Sequence, residues 1–153
     1  MATSYGFQVI PLKQVPMEDE VAKQPPTVLV VDDEKVIADT LSIILSRHGF
    51  LVETAYNAES ALGRARHTPP DLLLSDVMLG PGPDGIQLAI ELTQSYSDCK
   101  VILFSGHTST HDLIEREHHL GRSFTCLSKP LHPAELLGAI CECLGYLPMP
   151  ARA

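Results

Sequence analysis

Short apolar segments alternate with longer amphipathic segments along most of this chain. Five apolar segments of four or five residues are predicted to be β-strands: Thr27–Val31, Leu51–Ala55, Asp71–Ser75, Val101–Phe104 and Phe124–Leu127. Helices are predicted to follow them, the fourth only weakly patterned, at Glu34–His48, Ala58–Arg66, Gly85–Ser95, Asp112–Leu120 and Pro133–Leu144. Near-continuous apolar strands separated by helices are typical of a parallel sheet with helices on both faces. The sequence therefore predicts an α/β fold built on a five-stranded parallel sheet.

The length of 153 residues fits one domain with short flanking segments. Three ranges are predicted: an N-terminal extension at 1–26, a folded domain at 27–147 and a C-terminal tail at 148–153. The extension is rich in proline and lacks helical periodicity, which predicts a flexible segment. The alternation of Tyr5, Phe7 and Val9 leaves an ordered edge strand open as the alternative. No second domain is expected after the fold.

Charge and composition argue against several classes of function. The formal net charge of −8 disfavours binding to nucleic acid, which depends on Lys and Arg contacts to phosphates. The N-terminus does not resemble a secretory signal, and the longest apolar stretches are too short to span a bilayer. The four cysteines include no C-x-x-C pair and are expected to be reduced structural residues. A cytoplasmic protein without membrane or nucleic-acid partners is expected.

Charged and hydroxyl residues stand where four of the predicted strands end. They are Asp32 and Asp33 after the first strand, Asp76 after the third, Ser105 after the fourth and Lys129 after the fifth. Parallel strands present their carboxyl ends at one edge of a sheet, so these side chains are expected to converge. Clustered carboxylates suit a hard cation such as Mg²⁺. Acids, a hydroxyl and an ammonium group together suit phosphoryl transfer to a carboxylate.

These residues, in this order, resemble the receiver domain of bacterial response regulators over about Thr27 to Leu147. The resemblance implies a flavodoxin-like, doubly wound (βα)5 fold. It also implies that Asp76 accepts a phosphoryl group from a phosphohistidine on a sensor histidine kinase. Such a receiver catalyses only its own phosphorylation and dephosphorylation and is not otherwise an enzyme.

The resemblance further implies a Mg²⁺ site built around the acceptor. Asp33 and Asp76 would hold the ion directly, the main-chain carbonyl of Met78 would be a further ligand, and Asp32 would act through water. The Met78 side chain would also border the path of the water that hydrolyses the aspartyl phosphate.

Two residues would respond to the phosphoryl group in such a receiver. Lys129 would place its ammonium on a phosphoryl oxygen, oriented by a cis peptide bond to Pro130, and Ser105 would move to hydrogen bond the phosphate. The chain departs from the family at Cys126, where many receivers carry an aromatic residue that moves with this hydroxyl. Phe124 lies two residues earlier, on the same predicted strand face.

Two enzyme interpretations are disfavoured. The segment Gly80–Gly85 matches the dinucleotide-binding pattern G-x-G-x-x-G, but Pro81 and Pro83 remove backbone donors that a phosphate needs. The pattern also follows the third strand, whereas the fingerprint belongs on the first strand of its unit. A haloacid-dehalogenase-type phosphatase needs an acid two residues after its nucleophile, where Asp76 is followed by Met78.

The function predicted from these patterns is that of a stand-alone receiver. Its expected partners are a sensor histidine kinase or a histidine phosphotransfer domain and an unidentified downstream protein, with a homodimer also left open. One alternative is a phosphorelay shuttle that passes the phosphoryl group to a histidine phosphotransfer domain. The other is a scaffold that is not phosphorylated.

Overall fold

Five parallel strands form one sheet in the computed structural model, which describes residues 24–106, 115, 124–148 and 150–151. The strands are β1 at Thr27–Val31, β2 at Leu51–Ala55, β3 at Leu72–Asp76, β4 at Lys100–Ser105 and β5 at Thr125–Ser128. The helices seen in the described part of the chain are α1 at Lys35–Arg47, α2 at Ala58–His67, α3 at Gly85–Ser95 and α4 at Pro133–Leu144. None of these helices is both long and apolar enough to cross a membrane.

The strand order is β2-β1-β3-β4-β5, and every neighbouring pair is parallel. This is the flavodoxin-like doubly wound order, in which the topology switches between the first and third strands. The register pairs Val31 with Ser75 and Asp76 with Phe104. The carboxyl ends of β1, β3, β4 and β5 therefore lie side by side, and the predicted fold class is confirmed.

Each face of the sheet is covered by helices, and the alternation of strand residues decides which face a side chain enters. In β1, Leu29 and Val31 enter one core, whereas Val28 and Val30 enter the other. The first core is completed by α2 and α3, and the second by α1 and α4. Because both faces are buried, β1 and β3 are apolar along nearly their whole length.

The boundaries of three strands differ from those predicted. The third strand is predicted at Asp71–Ser75 but begins and ends one residue later. Asp71 lies just before the strand, where its carboxylate accepts a 2.8 Å hydrogen bond from the Thr27 N–H. Asp76 is consequently the last residue of the strand. The fourth strand is one residue longer at each end than predicted, and the fifth is shifted by one residue.

The helix boundaries follow local capping chemistry. Asn57 caps α2, accepting a 2.8 Å hydrogen bond from the Ser60 N–H. A capping box between Asp84 and Gln87 begins α3. Gly49, with φ 92°, follows α1. The helix predicted at Asp112–Leu120 lies outside the described residues apart from residue 115, as do residues 1–23 of the extension.

Candidate functional site

Asp32 is a fully buried acid at the end of β1. Its Oδ1 accepts a 2.9 Å hydrogen bond from the Glu34 N–H. Its Oδ2 has no hydrogen-bond partner among the described residues. Burial, reinforced by the charges of Asp76 and Asp33, raises the pKa of Asp32 to about 6, against the lowering effect of the Glu34 N–H and of Lys129.

Asp33 is exposed beside Asp32 and completes a cluster of three carboxylates. One oxygen from each of Asp32, Asp33 and Asp76 lies within 4.8 Å of the others. The loop after β3 passes close to this cluster at Gly80, where a Cβ would lie 3.3 Å from Oδ2 of Asp33. Gly80 also has φ 76°, which favours glycine. The glycine-rich loop thus passes close to Asp33.

Asp76 occupies the carboxyl end of β3 and is 5% exposed. Its Oδ1 accepts a 3.1 Å hydrogen bond from the Met78 N–H, and its Oδ2 accepts a 2.7 Å hydrogen bond from Nζ of Lys129. The N–H of Val77, the residue directly after Asp76, donates a hydrogen bond to the carbonyl of Phe104 in β4. The backbone that follows Asp76 is therefore held by hydrogen bonds to the carboxylate and to β4.

Lys129 follows β5 directly and reaches across to the acids. Its Nζ lies 3.8 Å from Oδ2 of Asp32 and 5.4 Å from the ring centroid of Phe104. Burial lowers the pKa of Lys129, but its hydrogen bond to Asp76 and the acidic charges around it outweigh burial, so the net shift is upward. The ammonium is therefore held in its charged form. The peptide bond to Pro130 is cis, as the resemblance implied.

Ser105 is the last residue of β4 and is buried. Its carbonyl accepts a 3.1 Å hydrogen bond from the Lys129 N–H. The backbone of the hydroxyl residue is thus tied directly to that of the cationic residue. Cys126 and Phe124 are both partly buried and pack against the core formed with α2 and α3, so they share a side of the sheet as expected.

Gly85 contributes to the site in a way that the sequence pattern did not reveal. A Cβ at this position would overlap the carbonyl oxygen of Asp76 and lie 3.0 Å from the Cα of Val77. The Gly85 N–H donates a 2.8 Å hydrogen bond to the Val77 carbonyl. The start of α3 therefore packs directly on the backbone of Asp76. The only signal in the sequence was a glycine at the predicted helix start.

The donor set fits a hard divalent cation. Three carboxylates carry three negative charges against the single ammonium of Lys129, and the buried Oδ2 of Asp32 has no hydrogen-bond partner among the described residues. Carboxylate oxygens in such a cluster are the ligands that Mg²⁺ prefers. Asp32, Asp33 and Asp76 could hold the ion. The role of the Met78 carbonyl stays a prediction, and the Met78 side chain is about half exposed.

Comparison with known proteins agrees with this geometry. Residues 28–141 match the family model of the response regulator receiver domain. The response regulator GtcR of Aneurinibacillus migulanus is 34% identical over 117 residues, which cover 74% of this chain and 46% of that protein. The probable transcriptional regulatory protein TcrX of Mycobacterium tuberculosis is 37% identical over 91 residues, covering 60% of this chain and 38% of that protein.

The chain spans less than half the length of these two relatives. Since TcrX is named as a transcriptional regulatory protein, the comparisons do not support the exclusion of nucleic acid as a partner. The expectation of a stand-alone protein stays a prediction.

Solved structures show the same fold. The receiver domain of an HD domain-containing protein from Pseudomonas fluorescens has a TM-score of 0.73 and 30% identity, covering 80% of this chain and 96% of that chain. A CheY-like receiver from Methanospirillum hungatei has a TM-score of 0.72 and 27% identity, covering 80% of this chain and 95% of that chain. With the acids, the lysine and the strand order in place, this chain belongs to the response regulator receiver family of two-component signalling.

Proposed function

We propose that this receiver accepts a phosphoryl group on Asp76 in a Mg²⁺-dependent reaction and signals by contact with other proteins. The donor is a phosphohistidine on a sensor histidine kinase or on a histidine phosphotransfer domain. We place the reaction in the cytoplasm, the location typical of the receiver family. The observation that carries the proposal is the 2.7 Å hydrogen bond from Lys129 to Asp76, beside two further carboxylates.

In the proposed transfer, an oxygen of Asp76 forms a bond to phosphorus as the bond from phosphorus to the donor's imidazole nitrogen breaks. Asp76 is held for this attack because the Met78 N–H and the Lys129 ammonium fix both of its oxygens. Positioning of this kind and stabilisation of the phosphoryl charge are the main contributions that a protein makes to phosphoryl transfer. Lys129 then pairs with a phosphoryl oxygen in place of the carboxylate.

Asp32, Asp33 and Asp76 are the residues proposed to hold Mg²⁺, with the Met78 carbonyl as a further ligand and Asp32 acting through water. A bound Mg²⁺ would supply charge neutralisation at the phosphoryl oxygens. The buried Oδ2 of Asp32, which has no hydrogen-bond partner in the described part of the chain, supports this role, because such an atom is unfavourable without a cation or water.

Ser105 is proposed to hydrogen bond the phosphoryl group and to change position when that group is present. Its carbonyl already accepts the Lys129 N–H, so a movement of the Ser105 backbone pulls on the segment that follows β5. This link supports a response that extends from β4 to β5.

The first test is intact mass after incubation with acetyl phosphate and Mg²⁺. One added phosphate is expected on the wild type and none on Asp76→Asn. Asp98→Asn is the matched control, because Asp98 is an exposed acid on the loop that leads into the amino end of β4, at the opposite edge, and it should behave as the wild type does. A folded protein that binds Mg²⁺ but gains no phosphate, with rapid hydrolysis excluded by a beryllofluoride titration, would favour the scaffold.

A second candidate function, the phosphorelay shuttle, is favoured by Cys126. The side chain is a partly buried thiol rather than an aromatic ring, so the ring movement of related receivers has no counterpart at this position. A shuttle needs less conformational switching than an output protein. Amide hydrogen exchange in β4 and β5 with and without beryllofluoride separates the two, since unchanged exchange in β5 supports the shuttle and altered exchange supports an output role.

A further inference from the structure

Tyr56 lies immediately after β2, next to the acid pair in space. The segments that follow β1 and β2 are joined by a 3.3 Å hydrogen bond from the Asp32 N–H to the carbonyl of Ala55. Because β2 pairs with β1 along its whole length, the end of β2 reaches the same edge of the sheet as the acids. Tyr56 is thus a neighbour of the cation site that belongs to another strand.

The helix that follows the acids begins with a lysine and is not capped by the side chain of its N-cap residue within the described part of the chain. Glu34 is the N-cap residue of α1, and its side chain makes no capping hydrogen bond within the described residues. The first turn of α1 contains no acid, and its first residue is Lys35. A cation at a helix N-terminus is disfavoured by the helix dipole. Asp32 Oδ1 accepts the Glu34 N–H at the start of the helix, but the Lys35 charge is opposed by the helix dipole and is expected to depend on a contact outside α1.

Tyr56 contacts both charged residues on this face of α1. The Nζ of Lys35 lies 5.2 Å from the centroid of the Tyr56 ring, within the range of a cation–π contact. The Tyr56 hydroxyl donates a 2.7 Å hydrogen bond to Oδ1 of Asp39. Lys35 and Asp39 are four residues apart and therefore share a helix face. The hydrogen bond to Asp39 raises the pKa of Tyr56, so the phenol stays a donor.

We propose that Tyr56 is a positioning residue for the cation site. Its ring holds the Lys35 ammonium away from the carboxylates, and its hydroxyl ties α1 to the end of β2. Lys35 is only two residues beyond Asp33. If Tyr56 no longer held it, the Lys35 ammonium would lie close enough to the carboxylates to oppose the binding of Mg²⁺. The inference rests on the proposed function, because it concerns the cation that the three acids would hold.

The test is Mg²⁺ affinity, measured by calorimetry on the full chain without a phosphodonor. Tyr56→Leu is expected to raise the Kd for Mg²⁺ about three- to tenfold, since it releases the Lys35 charge. Tyr56→Phe, which retains the ring, should raise it less. Tyr96→Leu is the matched control at the opposite edge of the sheet and should leave the Kd unchanged.

A double-mutant cycle separates this role from a merely structural one. In the background of Lys35→Gln, the change Tyr56→Leu is expected to alter the Kd by less than about twofold. An equal effect in both backgrounds would overturn the proposal, because Tyr56 would then act through packing alone. An unchanged Kd in Tyr56→Leu would also overturn it. Wild-type protein that binds no Mg²⁺ would overturn the cation site and this inference together.

Discussion

Lys129 donates a 2.7 Å hydrogen bond to Oδ2 of Asp76, a residue 53 positions earlier in the chain. The same ammonium lies 3.8 Å from Oδ2 of Asp32, so one cation partly neutralises two buried carboxylates. A divalent cation bound at these carboxylates would compete with Lys129 for their charge. Lys129 is therefore expected to speed phosphoryl transfer but to weaken cation binding.

Replacing Lys129 by glutamine tests this opposition. The rate of phosphorylation by acetyl phosphate is expected to fall about 100-fold, because the phosphoryl oxygens lose a positioned positive charge. The affinity for Mg²⁺ is expected to rise, because the acids lose their competing cation. Mass spectrometry over time measures the first effect and calorimetry the second.

Lys100→Gln is the control for the lysine substitution, since Lys100 is an exposed lysine at the amino end of β4, far from the acids. It should leave both the rate and the affinity unchanged. If Lys129→Gln weakened Mg²⁺ binding instead, the ammonium would not be a competitor for the carboxylates.

Asp32 is expected to make the metal-free protein less stable at neutral pH. Its pKa is about 6 in the folded protein, against about 3.9 in an unfolded chain, so the folded state binds this proton more tightly. The free energy of unfolding of metal-free protein should therefore fall as pH rises from about 4 to about 6. Asp32→Asn should remove this dependence and raise the free energy of unfolding near pH 7 by about 1 kcal/mol.

Urea denaturation in EDTA at a series of pH values measures this effect as the difference in the free energy of unfolding between the wild type and Asp32→Asn. Asp33→Asn is the comparison, because Asp33 is exposed and its charge contributes to the raised pKa of Asp32, so this variant should weaken the pH dependence without removing it. Both variants should bind Mg²⁺ more weakly. An Asp32→Asn protein less stable than the wild type at pH 7 without metal would contradict the argument.

Asp71 is expected to stabilise the amino edge of the sheet rather than the site. Its carboxylate accepts the Thr27 N–H, its own N–H donates to the Thr27 carbonyl, and its carbonyl accepts the Lys100 N–H. Asp71→Ala removes the side-chain bond, which contributes about 1 kcal/mol in exposed positions. Urea denaturation should show this loss while the phosphorylation rate stays unchanged. A large loss of phosphorylation in the folded variant would contradict the assignment.

The parts of this molecule that could be predicted from its sequence are those that depend on periodicity along the chain. The apolar runs predicted five strands, and the acids at their ends predicted a common edge. The β3 boundary was wrong by one residue because acids, Asp71 and Asp76, flank its apolar run at both ends. Hydrogen bonds to Thr27 and Phe104, from other strands, decide which acid belongs to the strand.

Contacts between elements could not be predicted from the same patterns. The Tyr56 ring meets Lys35, and the Phe104 ring lies below Lys129, only after the strands are paired. In the sequence, Tyr56 and Phe104 look like ordinary aromatic residues near the end of a strand. Their roles follow from distances across the sheet edge, which a single sequence does not contain.

Gly85 gives the sharpest test of how closely the site is packed. A Cβ there would overlap the Asp76 carbonyl oxygen, so Gly85→Ala must displace either α3 or the backbone of Asp76. Overpacking of this kind lowers the free energy of unfolding by about 1–3 kcal/mol. The phosphorylation rate should fall as well, because the displaced backbone carries Asp76.

Gly63→Ala and Gly138→Ala are matched controls for Gly85→Ala. Both glycines lie inside helices, α2 and α4, and a Cβ at either position would meet no atom within 4 Å. Each control should raise the free energy of unfolding by about 0.5–1 kcal/mol, since alanine is the better helix former. Urea denaturation compares the three variants. Stabilisation by Gly85→Ala equal to that of the controls would mean that α3 does not rest on the backbone of Asp76.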